Sequence, residues 1–359
     1  MNSRERIDLS IRHREPDRVA IHDSPWFTTV RRWHKEGLPE GTDPAVYFRY
    51  EIAGVAADTS FRFPKETVEE TEEYIIERNS QGALLRNWKN ATSTPEMIGF
   101  TITSREAWEE NKPRLAMARD RMDWDRDLEQ NQKDCEAGMW CSYNAVIGYD
   151  RTQGIVGSEN LLIAMKDDPE WVVDMFASGI ELVIQCAEEM LAGGFHFDGA
   201  WIFDDMGYRN ASLFSPQTYR ELLFPQHKRL CDFLHARGLP VILHSCGCVR
   251  ALVPQLIEAG FDCLQPLEVK AGMDLIELKK SFGDKLAFMG GIDVRKMSDP
   301  DPHQIEEEIR TKIPFAMKGG GYIYHSDHSV PDDVSFERYQ RVIELVRKHG
   351  TYRSLDWEG

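Results

Sequence analysis

The chain has 359 residues, is 42% hydrophobic and carries a formal net charge of −17. That length and apolar content suit a globular enzyme built as one large barrel or two modest domains. The acid excess excludes a nucleic-acid binder, which needs a basic face, and disfavours anionic membranes.

Residues 1–18 are charged and lack an apolar stretch, so no signal peptide is expected. No window of about 18 apolar residues occurs, so no membrane span is expected either. The 7 cysteines are scattered and odd in number, which reads as reduced thiols. The expected compartment is the cytoplasm.

Short apolar strands are predicted at 19–21 and 53–57. Residues 61–133 then break the pattern. Two strands at 72–78 and 83–89, joined at Ser80-Gln81-Gly82, read as a hairpin, and a charged helical stretch follows. This segment is an insertion that either covers a barrel mouth or is a plain surface excursion. Its acidic run 66–73 reads as a solvated face. Strands then fall at 139–142, 200–203, 241–243, 263–267, 286–289 and 322–324. Helical stretches lie between them, among them 170–192, 216–237, 249–259, 275–282 and 304–317. Such alternation predicts an α/β fold. The count of eight strands predicts a single (β/α)8 TIM-barrel domain over 1–359, with the hairpin and helical insertion after the second strand. An open doubly wound sheet would need an early Gly-rich phosphate turn, and the chain has none.

The sharpest local signal is Leu243-His244-Ser245-Cys246-Gly247-Cys248, entered from a buried strand. Residues two apart at a strand end point the same way. His244 and Cys246 are good zinc ligands. They equally read as a buried histidine beside structural thiols. Gly247 permits a sharp turn after them. A second cluster, His325-Ser326-Asp327-His328, follows the last strand and faces the same mouth. His328 then completes a three-ligand site, Asp327 orients a histidine, or the segment is a polar loop capped by Asp327. The third cluster is Asp204-Asp205, two carboxylates after a buried strand. They read as metal ligands, a hold on a cationic group, an acid–base pair, or a helix-capping turn. Further candidates at strand ends are His22, Asp58, Asn144, Tyr149 and Asp293.

Taken together, these residues resemble the uroporphyrinogen decarboxylase superfamily over nearly the whole chain. The resembling segments are Arg4-Glu5-Arg6, Glu15-Pro16-Asp17-Arg18, Ser215-Pro216 and Phe224-Pro225. Residues 241–247, Met289-Gly290-Gly291-Ile292-Asp293 and Gly320-Gly321-Tyr322-Ile323 with Pro331 complete them. The resemblance implies a (β/α)8 barrel and one of two chemistries. True uroporphyrinogen decarboxylases carry an Arg-Gln-Ala-Gly-Arg-Tyr run, whereas this chain has Ile21-His22-Asp23-Ser24-Pro25-Trp26-Phe27 there. The other branch, the zinc-dependent cobalamin methyltransferases, shares the His-x-Cys motif, here His244 and Cys246. Its third ligand is usually a Cys after the last strand, and the corresponding residue here is His328, with Asp327 and His325 as fallbacks.

The resemblance therefore implies a zinc-dependent methyltransferase acting between a small O-, N- or S-methylated substrate and a corrinoid (cobalamin) carrier. His244, Cys246 and His328 are the expected zinc ligands, and Asp204 and Asp205 the expected contacts to substrate or zinc. The substrate contacts expected are His22, Trp26, Asn144, Tyr149, Asp293 and His325. The chain has no Asp-x-His-x-x-Gly corrinoid motif, so the corrinoid arrives on a partner protein or free. The superfamily contains dimers, so a homodimer is compatible by analogy. The alternative is a cofactor-free decarboxylase, in which Asp58 or Asp205 stabilises a protonated intermediate. A third reading is a barrel that only binds a ligand.

Overall fold

Eight short parallel strands form one sheet in the structure, a computed structural model that describes residues 1–89 and 94–352. They are β1 (Ala20–Ile21), β2 (Ile52–Ala56), β3 (Trp140–Val146) and β4 (Gly199–Phe203). The others are β5 (Val241–His244), β6 (Cys263–Gln265), β7 (Ala287–Met289) and β8 (Tyr322–Tyr324). The strands neighbour one another in the order β1-β8-β7-β6-β5-β4-β3-β2, which is the chain order of a TIM-type barrel. Every predicted barrel strand is present. Boundaries shift by one to two residues, except that β3 runs on to Val146 and takes Asn144 into the strand.

Alternate residues point into the barrel and pack together. Ile52, Trp140, Trp201, Ile242, Cys263 and Ile323 belong to one buried cluster. Ile7 and Ile11 of the helix Ser3–Ile11 join it and close the end where the strands begin. At the β1–β2 seam one residue replaces a strand ladder. Glu51 N donates to Ile21 O at 3.0 Å, and the Glu51 carboxylate accepts from Ile21 N at 2.8 Å. The same carboxylate, 1% exposed, is paired with Arg6 and, at 2.7 Å, with Arg18.

The insertion holds more sheet than the predicted hairpin. Four antiparallel strands, Glu66–Glu70, Tyr74–Arg78, Ala83–Trp88 and Glu96–Phe100, lie in that order. The first is exposed at all positions and acid-rich, which hides it from a propensity reading. A cross-strand pair, Glu66 with Arg78 at 2.6 Å, and an ion pair of Glu70 with Lys89 at 2.7 Å, offset its charge. Residues 90–93 of the insertion lie outside the described residues. Helices Arg105–Asn111 and Trp124–Glu136 follow, as the charged stretch predicts.

The helical stretch 216–237 is interrupted. A π-turn, Tyr219–Leu223, precedes the helix Phe224–His235. Pro225 has no N–H to give, and the ladder widens there. Helices Ser3–Ile11, Phe27–Glu36 and Phe336–His349 stand outside the sequence expectations. Among the described residues, no helix is long and apolar enough to cross a membrane.

Replacing Glu51 with Ala removes the buried partner of Arg6, leaves it only the half-exposed Asp17, and unties the seam. Urea unfolding of Glu51→Ala should show a stability loss of about 3–5 kcal/mol. A loss under about 1 kcal/mol, the scale of an exposed pair, would show that the seam does not depend on it.

Candidate metal centre

β5 places His244 by its phase. Ile242 points into the barrel, so His244, two residues on, points the same way at the mouth. The chain then turns at Gly247, whose φ of 74° lies in the left-handed region. A Cβ on Gly247 would come 2.5 Å from the Gly207 carbonyl carbon, and one on Gly207 would come 2.3 Å from Cys246 O. Only glycines let these two loops touch. Their contact brings Asp205, after β4, against Cys246, after β5, and Cys246 N donates to Asp205 Oδ1 at 2.7 Å.

Three donor atoms meet here. His244 Nε2 lies 3.4 Å from Cys246 Sγ and 3.4 Å from Asp205 Oδ1. Ligand atoms of Asp205, His244 and Cys246 all fall within 4.8 Å of one another. They are the residues among those described that gather closely enough to share one ion. Nitrogen, sulfur and oxygen donors in this number match a catalytic zinc site that keeps a fourth position open.

Hydrogen bonds behind the site fix which nitrogen faces the ion. His325 Nδ1 donates to the Ser326 carbonyl at 2.7 Å, which leaves its Nε2 as an acceptor. Gln265 Nε2 donates to that atom at 3.5 Å. The Gln265 amide is thereby oriented, and its Oε1 accepts from His244 Nδ1. With the proton on Nδ1, His244 Nε2 is left as the free donor atom. Gln265 is itself 2% exposed and on β6, in phase with the inward Cys263.

The electrostatics favour a cation. Burial lowers the His244 pKa, but Asp205 and Cys246 at its ring outweigh this and lift it well above the usual value. Burial raises Asp205, and His244 more than reverses the effect. Burial also raises the Cys246 thiol, against the opposing pull of His244. Donors packed this closely need a proton or a metal ion between them.

A cavity of about 480 Å³ opens over the three donors. Trp26, Asn144, Trp201, Phe203, Gln265, His325 and His328 also line it, and Thr94 reaches it from the insertion. A larger cavity of about 830 Å³ lies at the opposite end of the barrel, near Arg6 and Glu51. Barrel chemistry sits at the C-terminal ends of the strands, which favours the smaller one.

The expected residues divide accordingly. His244, Cys246, Asp205, Trp26, Asn144, His325 and His328 line the cavity. His328 nevertheless stands outside the group of converging donors: its ring stacks on Trp26, with centroids 6.2 Å apart. Asp205 fills the third corner instead. Asp204, expected beside it, turns the other way and is 0% exposed. It accepts from Asp150 N at 2.8 Å and meets His227 Nε2 at 2.9 Å. His22 lies beneath the cavity, against Trp201 and His325, and burial followed by the nearby His325 lowers its pKa to about 3. Four other positions are corrected or reassigned. Tyr149 is buried, with its hydroxyl 2.6 Å from Ser158 Oγ. Asp293 caps the helix Val294–Ser298 and pairs with Arg295. Asp58 binds Ser60 N and Arg62 on a half-exposed loop. Asp327 accepts from Val269 N and Val294 N, each at 2.9 Å, as a capping residue does, and burial raises its pKa to about 6.

Three residues near the site escape sequence reasoning. Gln265 is one. His227 is another: Tyr219 Oη lies 3.0 Å from its Nδ1, and the pair supports Asp204 from the π-turn helix. Asp150 is the third; burial, then Asp205, raises its carboxyl to about 7. Its position four residues after the end of β3 is a signal that strand-end reading offers.

Residues 152–349, more than half of the chain, match the family described as uroporphyrinogen decarboxylase (URO-D). The chain belongs to the uroporphyrinogen decarboxylase family. Similar proteins include the methylated-thiol–coenzyme M methyltransferase of Methanosarcina mazei, 28% identical over 211 residues. That match covers 55% of this chain and 54% of the relative. The methylcobamide:CoM methyltransferase MtaA of Methanosarcina barkeri is 29% identical over 47% of this chain and 48% of its own. A uroporphyrinogen decarboxylase of Pectobacterium atrosepticum is 26% identical over 41% of this chain and 40% of its own. The chain thus spans about half the length, or less, of these relatives. Among solved structures, a methyltransferase from Methanosarcina mazei shares the fold, with a TM-score of 0.65 at 12% identity. It covers 97% of this chain and 99% of that one. In this uroporphyrinogen decarboxylase family member, the support behind His244 gives a direct test. Gln265→Leu should weaken zinc binding by about 10–100-fold in a chelator competition. Unchanged affinity would show that Gln265 does not orient the ligand.

Proposed function

We propose that the protein is a zinc-dependent methyltransferase that moves a methyl group between a small methylated molecule and a corrinoid carrier. The observation that carries this reading is the meeting of Asp205, His244 Nε2 and Cys246 Sγ at the floor of a cavity. The names of the Methanosarcina relatives, which join methyl transfer to methylcobamide and to thiols, support it.

His244, Cys246 and Asp205 would hold the zinc. When bound, zinc supplies a Lewis acid that polarises the atom bearing or receiving the methyl group. Gln265 and His325 hold the His244 ring in the tautomer that binds. Cys246 N fixes the Asp205 carboxylate, so both ligand loops are set before substrate enters. The aromatic side chains of Trp26, Trp201 and Phe203 line the cavity. Asp150, raised to about 7 by burial and by Asp205, can take up or give a proton near neutral pH beside Asp204 and Asp205. The chain supplies a scaffold for a corrinoid that arrives on a separate protein or free. We assign 1–359 to one barrel domain with its insertion, working in the cytoplasm.

Metal content and corrinoid methylation, read together, test this. Wild type should hold about one zinc per chain, and His244→Ala and Cys246→Ala should lose it, as a three-ligand site requires. Asp205→Ala should bind zinc more weakly, whereas His328→Ala should keep the metal and bind substrate less well. Methyl transfer should fall with the metal. A wild type that takes up no zinc, with turnover intact in the His244 and Cys246 variants, would replace this reading with the cofactor-free decarboxylase.

A further inference from the structure

The walls of the cavity define what can lie in it. On one side Trp201 and Phe203 stack, with centroids 5.4 Å apart and planes 22° apart. On another Trp26 and His328 stack, with planes 27° apart. None of the described residues lining the chamber is a lysine or arginine. The lining carries the acid Asp205, and Glu268 lies just beyond, accepting from Gly247 N at 2.7 Å. A zinc ion held by the Cys246 thiolate and the Asp205 carboxylate would be balanced by their two negative charges, so the loaded site would offer an anion no net counter-charge. Arg209 and Lys270 line an adjoining cavity that shares Cys246 and His328 with this one. Lys270 is already paired with Glu268 at 2.9 Å.

An anionic group brought into this chamber would lose its hydration and find no lysine or arginine partner among the described lining residues. A flat neutral ring would lie against the aromatic walls at no such cost. The volume of about 480 Å³ is in the range of small-molecule sites and has room for a substituted single ring. We propose that the methyl-bearing substrate is a neutral, single-ring aromatic ether or thioether, selected by the Trp201–Phe203 and Trp26–His328 walls and by the absence of lysine and arginine among the described residues that line the chamber. This rests on the methyltransferase reading and names the substrate class within it.

A matched pair of probes isolates the charge: methoxybenzene and 4-methoxybenzenesulfonate share the ring and the methyl group. Both are titrated into zinc-loaded full-length protein, with binding read by calorimetry and zinc content measured alongside. Methoxybenzene should bind tighter by about tenfold or more, the effect of burying one unpaired charge even when partly solvated. Trp201→Ala should weaken methoxybenzene binding by about tenfold while zinc content stays at the wild-type level. Thr94→Lys, an exposed change on the cavity rim, should tighten sulfonate binding and leave methoxybenzene unaffected. Tighter or equal sulfonate binding by zinc-loaded wild type would overturn the substrate class alone. So would zinc-loaded protein that binds neither probe at millimolar concentration. Failure to hold zinc at all would instead strike the methyltransferase reading on which this rests.

Discussion

The imidazole of His244 has one orientation because Gln265 accepts from its Nδ1. That single hydrogen bond decides which nitrogen faces Cys246 and Asp205. Gln265 in turn is set by His325, whose own proton is committed to the Ser326 carbonyl. The order of donors runs without conflict from a backbone oxygen on β8's loop to the free Nε2 at the mouth. A ligand held this way is ready before the ion arrives.

The barrel makes that arrangement possible. Inward phase on neighbouring strands brings Phe203, His244 and Gln265 to one level above the buried Trp201, Ile242 and Cys263. β6 is paired with β5 so that Gln265 lies opposite His244. The same register logic carries Asp205 to the Cys246 loop through the Gly207–Gly247 contact. Below, Glu51 ties β1 to β2, where the strands themselves make no ladder.

Much of this is legible in the chain. Apolar runs in alternation with helical stretches predict the eight strands, because a parallel sheet buries both faces of its strands. The His-x-Cys motif is legible because it follows such a run and ends on a glycine that turns. The third corner is harder. Two carboxylates in a row look equivalent, yet successive residues face opposite ways, so Asp204 goes to His227 and Asp205 to the cavity. His227 lies 23 residues from Asp204 and meets it through a helix packed against the barrel, which no local pattern reports. His328 reaches the mouth but spends its ring on Trp26. Strand-end position alone is also too generous, as Tyr149, Asp293 and Asp58 show by satisfying neighbours of their own. Gln265 leaves a faint trace: it is an uncharged polar residue inside an apolar strand.

The central claim is that Asp205, His244 and Cys246 bind one ion together. Zinc-edge X-ray absorption of the zinc-loaded protein measures this most directly. The predicted spectrum has one sulfur at about 2.3 Å and nitrogen and oxygen neighbours at about 2.0–2.2 Å. The sulfur should vanish in Cys246→Ser. A spectrum with no sulfur neighbour, or one unchanged in that variant, would contradict the site described here.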